Sequence, residues 1–103
     1  MIHVVAKIEV VEGRRDDFVA AFCGNVPNVL AEEGCLEYIP VVDVPTDITA
    51  QAPLRANVVM VVEKWENLDA LQAHLAAPHM TEYRAQVKDL VRDAQIHIME
   101  SAG

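Results

Sequence analysis

Alternating apolar and polar side chains predict four β-strands along the chain. In the first, residues 2–11, every second side chain from Ile2 to Val10 is apolar, which is typical of a strand with one buried face. Further strands are predicted over residues 35–43, 56–65 and 94–100. Pro40 cannot donate a hydrogen bond to a neighbouring strand, so we expect the second strand to lie at a sheet edge or to carry a bulge.

Apolar residues spaced three or four apart predict a first helix over residues 14–33. Its apolar stripe consists of Phe18, Phe22, Val26 and Val29. Pro27 lies inside this segment and removes the backbone donor that would bond the carbonyl of Cys23. We therefore expect one helix that bends near Gly24–Asn25 and stops at Gly34.

Two further helices are predicted between the third and fourth strands. Asn67 is a candidate N-cap for the first of them, because its short side chain can accept a hydrogen bond from the first helical turn. This helix is expected to bury one face, formed by Leu68, Leu71 and Leu75. Ala77–Pro78 interrupts the pattern. The next helix is expected to carry one stripe of Met80, Tyr83, Val87, Leu90 and Val91.

The order of these elements predicts an α+β, ferredoxin-like protomer in a single domain over residues 1–103. Strand, helix, strand, strand, helices and strand form a split β-α-β arrangement, with helices covering one face of an antiparallel sheet. Residues 58–62 are nevertheless apolar on both faces of their strand. An apolar face that no helix covers needs a second cover, so we expect a homodimer that packs through the open sheet face.

Composition and charge exclude several classes of protein. The chain has 103 residues, a mass of 11.4 kDa, a formal net charge of −8 and 52% apolar residues, which is too apolar for a disordered chain. It has no Lys/Arg cluster, so we expect neither a nucleic-acid partner nor a membrane partner. Lys7 and Glu9 break the apolar run that a signal peptide requires, and we expect a cytoplasmic protein.

One motif of the chain resembles the antibiotic biosynthesis monooxygenase (ABM) family. It reads E-x-W-x4-A-L-x2-H-L-x2-P-H from Glu63 to His79, and E-G-C-L at Glu33–Leu36 precedes it. The resemblance covers nearly the whole chain. It implies a dimeric α+β barrel with a ligand cavity between helices and sheet in each protomer. It also implies oxygenation of a small aromatic or quinol-type substrate by O₂, with no cofactor.

Other members of the same wider group keep two alternatives open. Some relatives degrade haem, but Ala6 stands about where those relatives carry an Asn, which counts against haem chemistry here. Others isomerise a small phosphorylated sugar, and a non-enzymatic ligand-binding or stress protein would keep only the fold. The loop at residues 44–55 is longer than usual in the family and could reshape the cavity mouth.

His74 is the main catalytic candidate. Direct reaction with O₂ requires a phenol or hydroquinone to lose a proton, and an imidazole is suited to remove it near neutral pH. A structural histidine at a helix–sheet boundary is the competing hypothesis. Glu63 is the second catalytic candidate, which could anchor or polarise His74 or pair with a cation at the surface.

Four further side chains are candidates for substrate binding. They are Trp65, Tyr38, Tyr83 and His79. An indole can stack on a planar substrate and donate its N–H, and a phenol can contact a substrate oxygen. The alternative roles are a core residue at the barrel end for Trp65, core packing for the tyrosines and a turn or cap for His79. We expect Trp65, His74 and at least one of Glu63 or Tyr83 to border one cavity.

No metal site is expected. His74 and His79 are separated by five positions with Pro78 between them, which predicts different helical faces. Cys23 and Cys35 lack a metal-spaced histidine, and we expect both to be buried thiols.

Overall fold

The computed structural model describes residues 1–103 and contains four strands and three helices. In chain order they are β1 (Ile2–Val10), α1 (Arg15–Leu30), β2 (Cys35–Val41), β3 (Val58–Trp65), α2 (Leu68–Ala76), α3 (Pro78–Val87) and β4 (Val91–Met99). The strands form one antiparallel sheet in the order β2-β3-β1-β4. This arrangement confirms the α+β, ferredoxin-like prediction, and β2 lies at an edge as Pro40 requires.

The first helix is continuous through Pro27 but ends at Leu30, earlier than predicted. The bend expected near Gly24–Asn25 stays a prediction. Gly34 does not stop the helix but serves the turn that follows it, where its φ is +82°. A Cβ built on Gly34 would stand 2.6 Å from the Cβ of Ala70 on α2. Glycine is therefore required both by the backbone conformation and by the close approach of α2.

Asn67 caps α2 as predicted, accepting a hydrogen bond of 2.8 Å from the backbone N–H of Ala70. The buried face of this helix differs from the prediction. Leu71 is buried, but Leu68 is 50% and Leu75 39% exposed, and His74 takes the second buried position. The side of α2 that carries Leu71 and His74 therefore faces the core, which brings the imidazole of His74 into the interior.

The end of α3 also differs from the prediction. Met80, Tyr83 and Val87 are its buried residues, and the helix ends at Val87. The backbone N–H of Leu90 then bonds the carbonyl of Val87 in a turn, and β4 begins at Val91. Leu90 and Val91 therefore do not belong to the helical stripe, because the early strand start lets Val91 pair with β1.

The two faces of the sheet have different covers. The register places Val4, Tyr38 and Glu63 side by side, and these buried residues point toward the helices. The other face, which we call the open face, has no helix over it. Its apolar side chains are partly or largely exposed: Val5, Ile39, Val41, Met60, Val62 and Met99.

The long connection between β2 and β3 is fixed at its base. Asp43 accepts three hydrogen bonds from Arg55: from the backbone N–H at 2.9 Å, from Nε at 3.0 Å and from Nη2 at 2.8 Å. Arg15 of α1 donates to the carbonyl of Arg55 at 3.1 Å. The hydrogen bonds from Arg55 hold the pKa of the Asp43 carboxyl group at about 2, well below its usual range. We call the Asp43–Arg55 contact the clasp.

Two smaller expectations concern the cysteines and the membrane. Cys23 is exposed and Cys35 partly buried, so the expectation of two buried thiols is wrong, and both are free. Cys23 lies outside the apolar stripe of α1, which explains its exposure. None of the helices combines the length and the apolar character needed to cross a lipid bilayer.

Candidate active site

A cavity of about 320 Å³ lies between the sheet and the helices. Its walls come from β1, β2, β3, all three helices and β4. Most of the lining is apolar, and the polar side chains at the wall are Tyr38, Glu63, His74, Tyr83, Arg84, Lys88 and Gln95. An apolar space of this size with a few polar groups is typical of a site for a small organic ligand.

Glu63 brings a carboxyl group into this apolar space. It is 5% exposed, because it points from the middle of the sheet toward the helices. The indole Nε1 of Trp65, two positions along the same face of β3, donates to Glu63 Oε1 at 3.0 Å. Burial, with a smaller contribution from the negative charge of Glu32, raises the pKa of Glu63 to about 7, although the bond from Trp65 opposes the shift. Glu63 can therefore carry a proton near neutral pH.

His74 lines the same cavity from α2. Only 2% of it is exposed, and its ring lies 4.6 Å from the ring of Trp65 and 5.4 Å from that of Tyr38. Its Nδ1 lies 3.0 Å and 3.1 Å from the two carboxylate oxygens of Glu32. Burial lowers the pKa of His74, and the hydrogen bond and charge of Glu32 only partly offset this. The neutral ring with its proton on Nδ1 leaves Nε2 as a free acceptor.

Glu32 binds a second histidine. Its Oε1 lies 2.6 Å from Nε2 of His79, and the Nδ1 of His79 lies 3.2 Å from the amide nitrogen of Asn25. The side-chain Oδ1 of Asn25 accepts a hydrogen bond of 3.0 Å from Nδ2 of Asn28, which orients the Asn25 amide so that its Nδ2 donates to His79. His79 is then the donor toward Glu32. One carboxylate accepts from two imidazoles, and the resulting chain runs from the surface to the cavity wall.

Two tyrosine hydroxyl groups complete the inner polar wall. Phe22 of α1 stacks on Tyr38 at 5.2 Å and meets Tyr83 edge-on at 5.7 Å, so one aromatic cluster fixes both phenols. Burial raises the pKa of Tyr38 and of Tyr83. Both phenols stay protonated over the physiological range and can donate hydrogen bonds to a ligand oxygen.

The structure brings four of the six predicted residues to one cavity: His74, Glu63, Tyr38 and Tyr83. Trp65 is fully buried behind the wall, where it supports Glu63 and His74 without lining the space. The expectation that Trp65 borders the cavity is therefore wrong, because its indole fills the core at the end of β3. His79 lies outside the cavity as well, since its ring is turned toward Glu32 and Asn25.

Sequence reasoning missed Glu32. It offered two roles for Glu63, an anchor for His74 or the partner of a surface cation, whereas Glu32 contacts His74 and Glu63 accepts a bond from Trp65. A signal was present. Glu32 follows the C-terminus of α1, where the helix dipole disfavours a negative charge, so a partner elsewhere was to be expected. His74 and His79 were expected on different faces, but both rings reach this one carboxylate.

No group of three or more His, Cys, Asp and Glu side chains is arranged to hold a metal ion.

The family profile described as "Antibiotic biosynthesis monooxygenase" matches residues 1–86. The chain belongs to this family. The E-x-W and H-L-x2-P-H motif is the same part of the chain that supplies Glu63, Trp65, His74 and His79, and the sequence resemblance is confirmed. The description of the family places the chain in a group named for monooxygenases, which are oxidoreductases.

Comparison with known proteins places this ABM chain among full-length relatives. It is 37% identical over 102 residues to the Escherichia coli K12 protein named "Probable quinol monooxygenase YgiN", with 97% of each chain covered. Among solved structures, PA3566 from Pseudomonas aeruginosa has a TM-score of 0.80 at 19% identity, covering 99% of this chain and 94% of that one. Rv0793 from Mycobacterium tuberculosis has a TM-score of 0.80 at 21% identity, with 99% and 95% covered. These two structures share the fold.

Proposed function

We propose that this protein is a cofactor-independent monooxygenase that oxidises a small hydroquinone or phenol inside the 320 Å³ cavity. The main observation behind this proposal is that the cavity lining contains both a candidate base, His74, and a candidate acid, Glu63. Burial favours the neutral form of His74, whose Nε2 is free, and it raises the pKa of Glu63 to about 7, so that this carboxyl group can carry a proton near neutral pH. The name of the Escherichia coli relative, a quinol monooxygenase, supports the substrate class.

His74 acts as the base in this proposal. A substrate hydroxyl placed against the inner wall gives its proton to Nε2 of His74, and the electron-rich anion that results can reduce O₂. Glu32 stabilises the imidazolium that forms, because its carboxylate accepts the Nδ1–H bond. His79 donates to Glu32 from the other side and so fixes the carboxylate, which makes it a positioning residue.

Glu63 acts as the acid. Oxygen adds to a ring carbon of the anion, and the resulting peroxide takes the proton from the His74 imidazolium to become a hydroperoxide. The O–O bond then breaks as the neutral His74 accepts the proton from that carbon, and this proton finally restores the Glu63 acid. One oxygen atom stays on the ring, and the other leaves as water after receiving a proton from Glu63. A hydroquinone and O₂ give a hydroxyquinone and one water, and the substrate itself supplies all four electrons. The apolar lining keeps bulk water away from the reactive anion.

The unfilled cavity supports a ligand site over a protein that keeps only the fold. A protein that keeps only the fold would be expected to fill the space beside His74 with side chains, since interiors are close-packed. Here the buried carboxyl group of Glu63 faces unfilled volume, an arrangement that costs stability and therefore indicates a ligand.

Oxygen uptake tests the proposed function. We expect the purified protein to consume O₂ with a hydroquinone, in a stoichiometry of one O₂ per hydroxyquinone formed. The rate should persist after dialysis against a chelator and without added flavin. Heat-denatured protein controls for autoxidation of the hydroquinone. A rate equal to that control for every hydroquinone and phenol tried, or a rate abolished by chelation, would contradict the proposal.

We also propose that two copies pack through the open face. The apolar patch on β2, β3, β1 and β4 supports this assembly, with Ile39 45%, Val41 40% and Met99 42% exposed in the single chain. Patches of this kind on a small protein mark association sites. Covering them with the same face of a second copy would satisfy the two-fold symmetry of a homodimer.

Light scattering at micromolar concentration tests the dimer. We expect a mass near twice 11.4 kDa for the unchanged protein. Ile39→Glu should shift the mass toward one protomer, because a charge in an apolar interface is costly to desolvate. Leu30→Glu is the matched control, since Leu30 is equally apolar and 52% exposed but lies at the end of α1 in the helical layer. A monomeric unchanged protein would contradict the assembly.

A further inference from the structure

The outer end of the cavity carries two cationic side chains. Arg84 lies in the last turn of α3 and Lys88 follows the helix directly, so the two are one helical turn apart on the same side. Both line the cavity and both are exposed. Across the opening stand the β4 residues 94–96. The inner end, by contrast, holds His74 and Glu63.

These cations are not engaged by carboxylates of the protein. Neither takes part in an ion pair, although the chain has sixteen acidic residues and a net charge of −8. One guanidinium nitrogen of Arg84 donates to the carbonyl of Leu75 at 2.7 Å, which orients the group at the opening and leaves its other N–H groups free. The ammonium group of Lys88 makes no hydrogen bond with another side chain or with the backbone. Glu63 is the only acidic residue in the lining, and it is buried whereas the two cations are exposed.

Building on the proposed function, we infer that the substrate is an aromatic hydroxy compound with an anionic substituent, a carboxylate or a phosphate ester. The hydroxyl group reaches His74 and Glu63, the ring occupies the apolar middle between Val61 and Val87, and the anion lies at Arg84 and Lys88. This orientation places the one titrating hydroxyl at the base and keeps the charged group in contact with water. Uncommitted Arg and Lys side chains at one opening of an acidic protein are suited to recognise an anion.

Binding of unreactive probes tests this inference separately from turnover. The dissociation constants of 2-naphthol and 6-hydroxy-2-naphthoate are measured by calorimetry under nitrogen. We expect the carboxylate to bind roughly five- to tenfold more tightly at low salt, with the preference shrinking as salt rises. Arg84→Gln and Lys88→Gln should each remove part of the preference and leave 2-naphthol binding within about twofold. Arg92→Gln, an exposed cation of β4 outside the lining, is the matched control.

The outcomes separate the inference from the proposed function. Tighter binding of 6-hydroxy-2-naphthyl phosphate than of 6-hydroxy-2-naphthoate would identify a phosphate ester as the anion, and the reverse a carboxylate. Equal affinity for the neutral and charged probes, or no binding of either at millimolar concentration, would overturn the inference. Equal losses for both probes in Lys88→Gln would also overturn it. Oxygen uptake with a neutral hydroquinone, together with equal binding of neutral and anionic probes, would support the monooxygenase and overturn the anion site. Tighter binding of the anionic probe without any oxygen uptake would support the anion site and contradict the proposed function.

Discussion

His74→Ala should lose most of the oxygen uptake, by about 10²–10⁴-fold in kcat, because removal of a single general base typically costs that much. The loss should fall on kcat more than on KM, since the apolar walls that hold the ring are unchanged. Glu32→Gln keeps the imidazole but removes the charge behind Nδ1. It should lower the rate less than His74→Ala.

Imidazole rescue distinguishes a catalytic role from a structural one. The substitution to alanine opens space at the cavity wall, so added imidazole should restore part of the rate of His74→Ala and none of the rate of a misfolded protein. Far-ultraviolet circular dichroism and the scattering mass should match those of the unchanged protein. An unchanged rate in His74→Ala would contradict the role of His74 as the base and the mechanism that depends on it.

Glu63→Gln should raise the stability of the protein above neutral pH by about 3 kcal/mol. The pKa of Glu63 is about 7 in the folded state against an ordinary value of 4.5, and a difference of that size corresponds to about 3 kcal/mol. The folded state therefore binds the proton more tightly than the unfolded state. This stabilisation is fully present below pH 4.5, declines as pH rises and is lost above 7. Glutamine stays neutral throughout and can still accept the bond from Trp65.

Urea unfolding at several pH values measures this effect. The free energy of unfolding of Glu63→Gln minus that of the unchanged protein should grow between pH 4.5 and 7 and then level off. The lowered pKa of His74 acts in the opposite sense below 6.5, but it is present in both proteins and cancels in the difference. Glu82→Gln, the same substitution at an exposed position, is the matched control. A pH-independent difference for Glu63→Gln would show that the buried acid is not protonated in the folded state.

Local patterns were sufficient for the strands, the cap and the layer order. Alternation along β1, the missing donor of Pro40 and the short side chain of Asn67 each act within a few residues, so the sequence alone predicts their effect. The faces of α2 depended on tertiary contacts. Leu68 and Leu75 match a helical stripe as well as His74 does, but the position of Trp65 decides which side of the helix turns inward.

The sequence was sufficient to predict which residue types form the candidate site, but not which residues they contact. His74 and Glu63 could be chosen because each chemistry has few suitable side chains. The partner of His74 could not be found by spacing, since Glu32 is forty-two positions away and meets it only after α1, β2 and α2 have packed. For the same reason Trp65 was placed at the cavity, where its size suits a substrate wall, although the fold uses it behind Glu63.

The clasp between Asp43 and Arg55 separates the segment 44–54 from the rest of the fold. Because the two ends of that segment are tied to each other and to α1, the pairing of β2 with β3 does not depend on what lies between them. Lengthening a loop that is already closed adds little entropy cost, about 0.6 kcal/mol for each doubling. The protein thus carries a region where insertions and exchanges can accumulate during evolution while the sheet and the cavity beneath the helices are inherited unchanged.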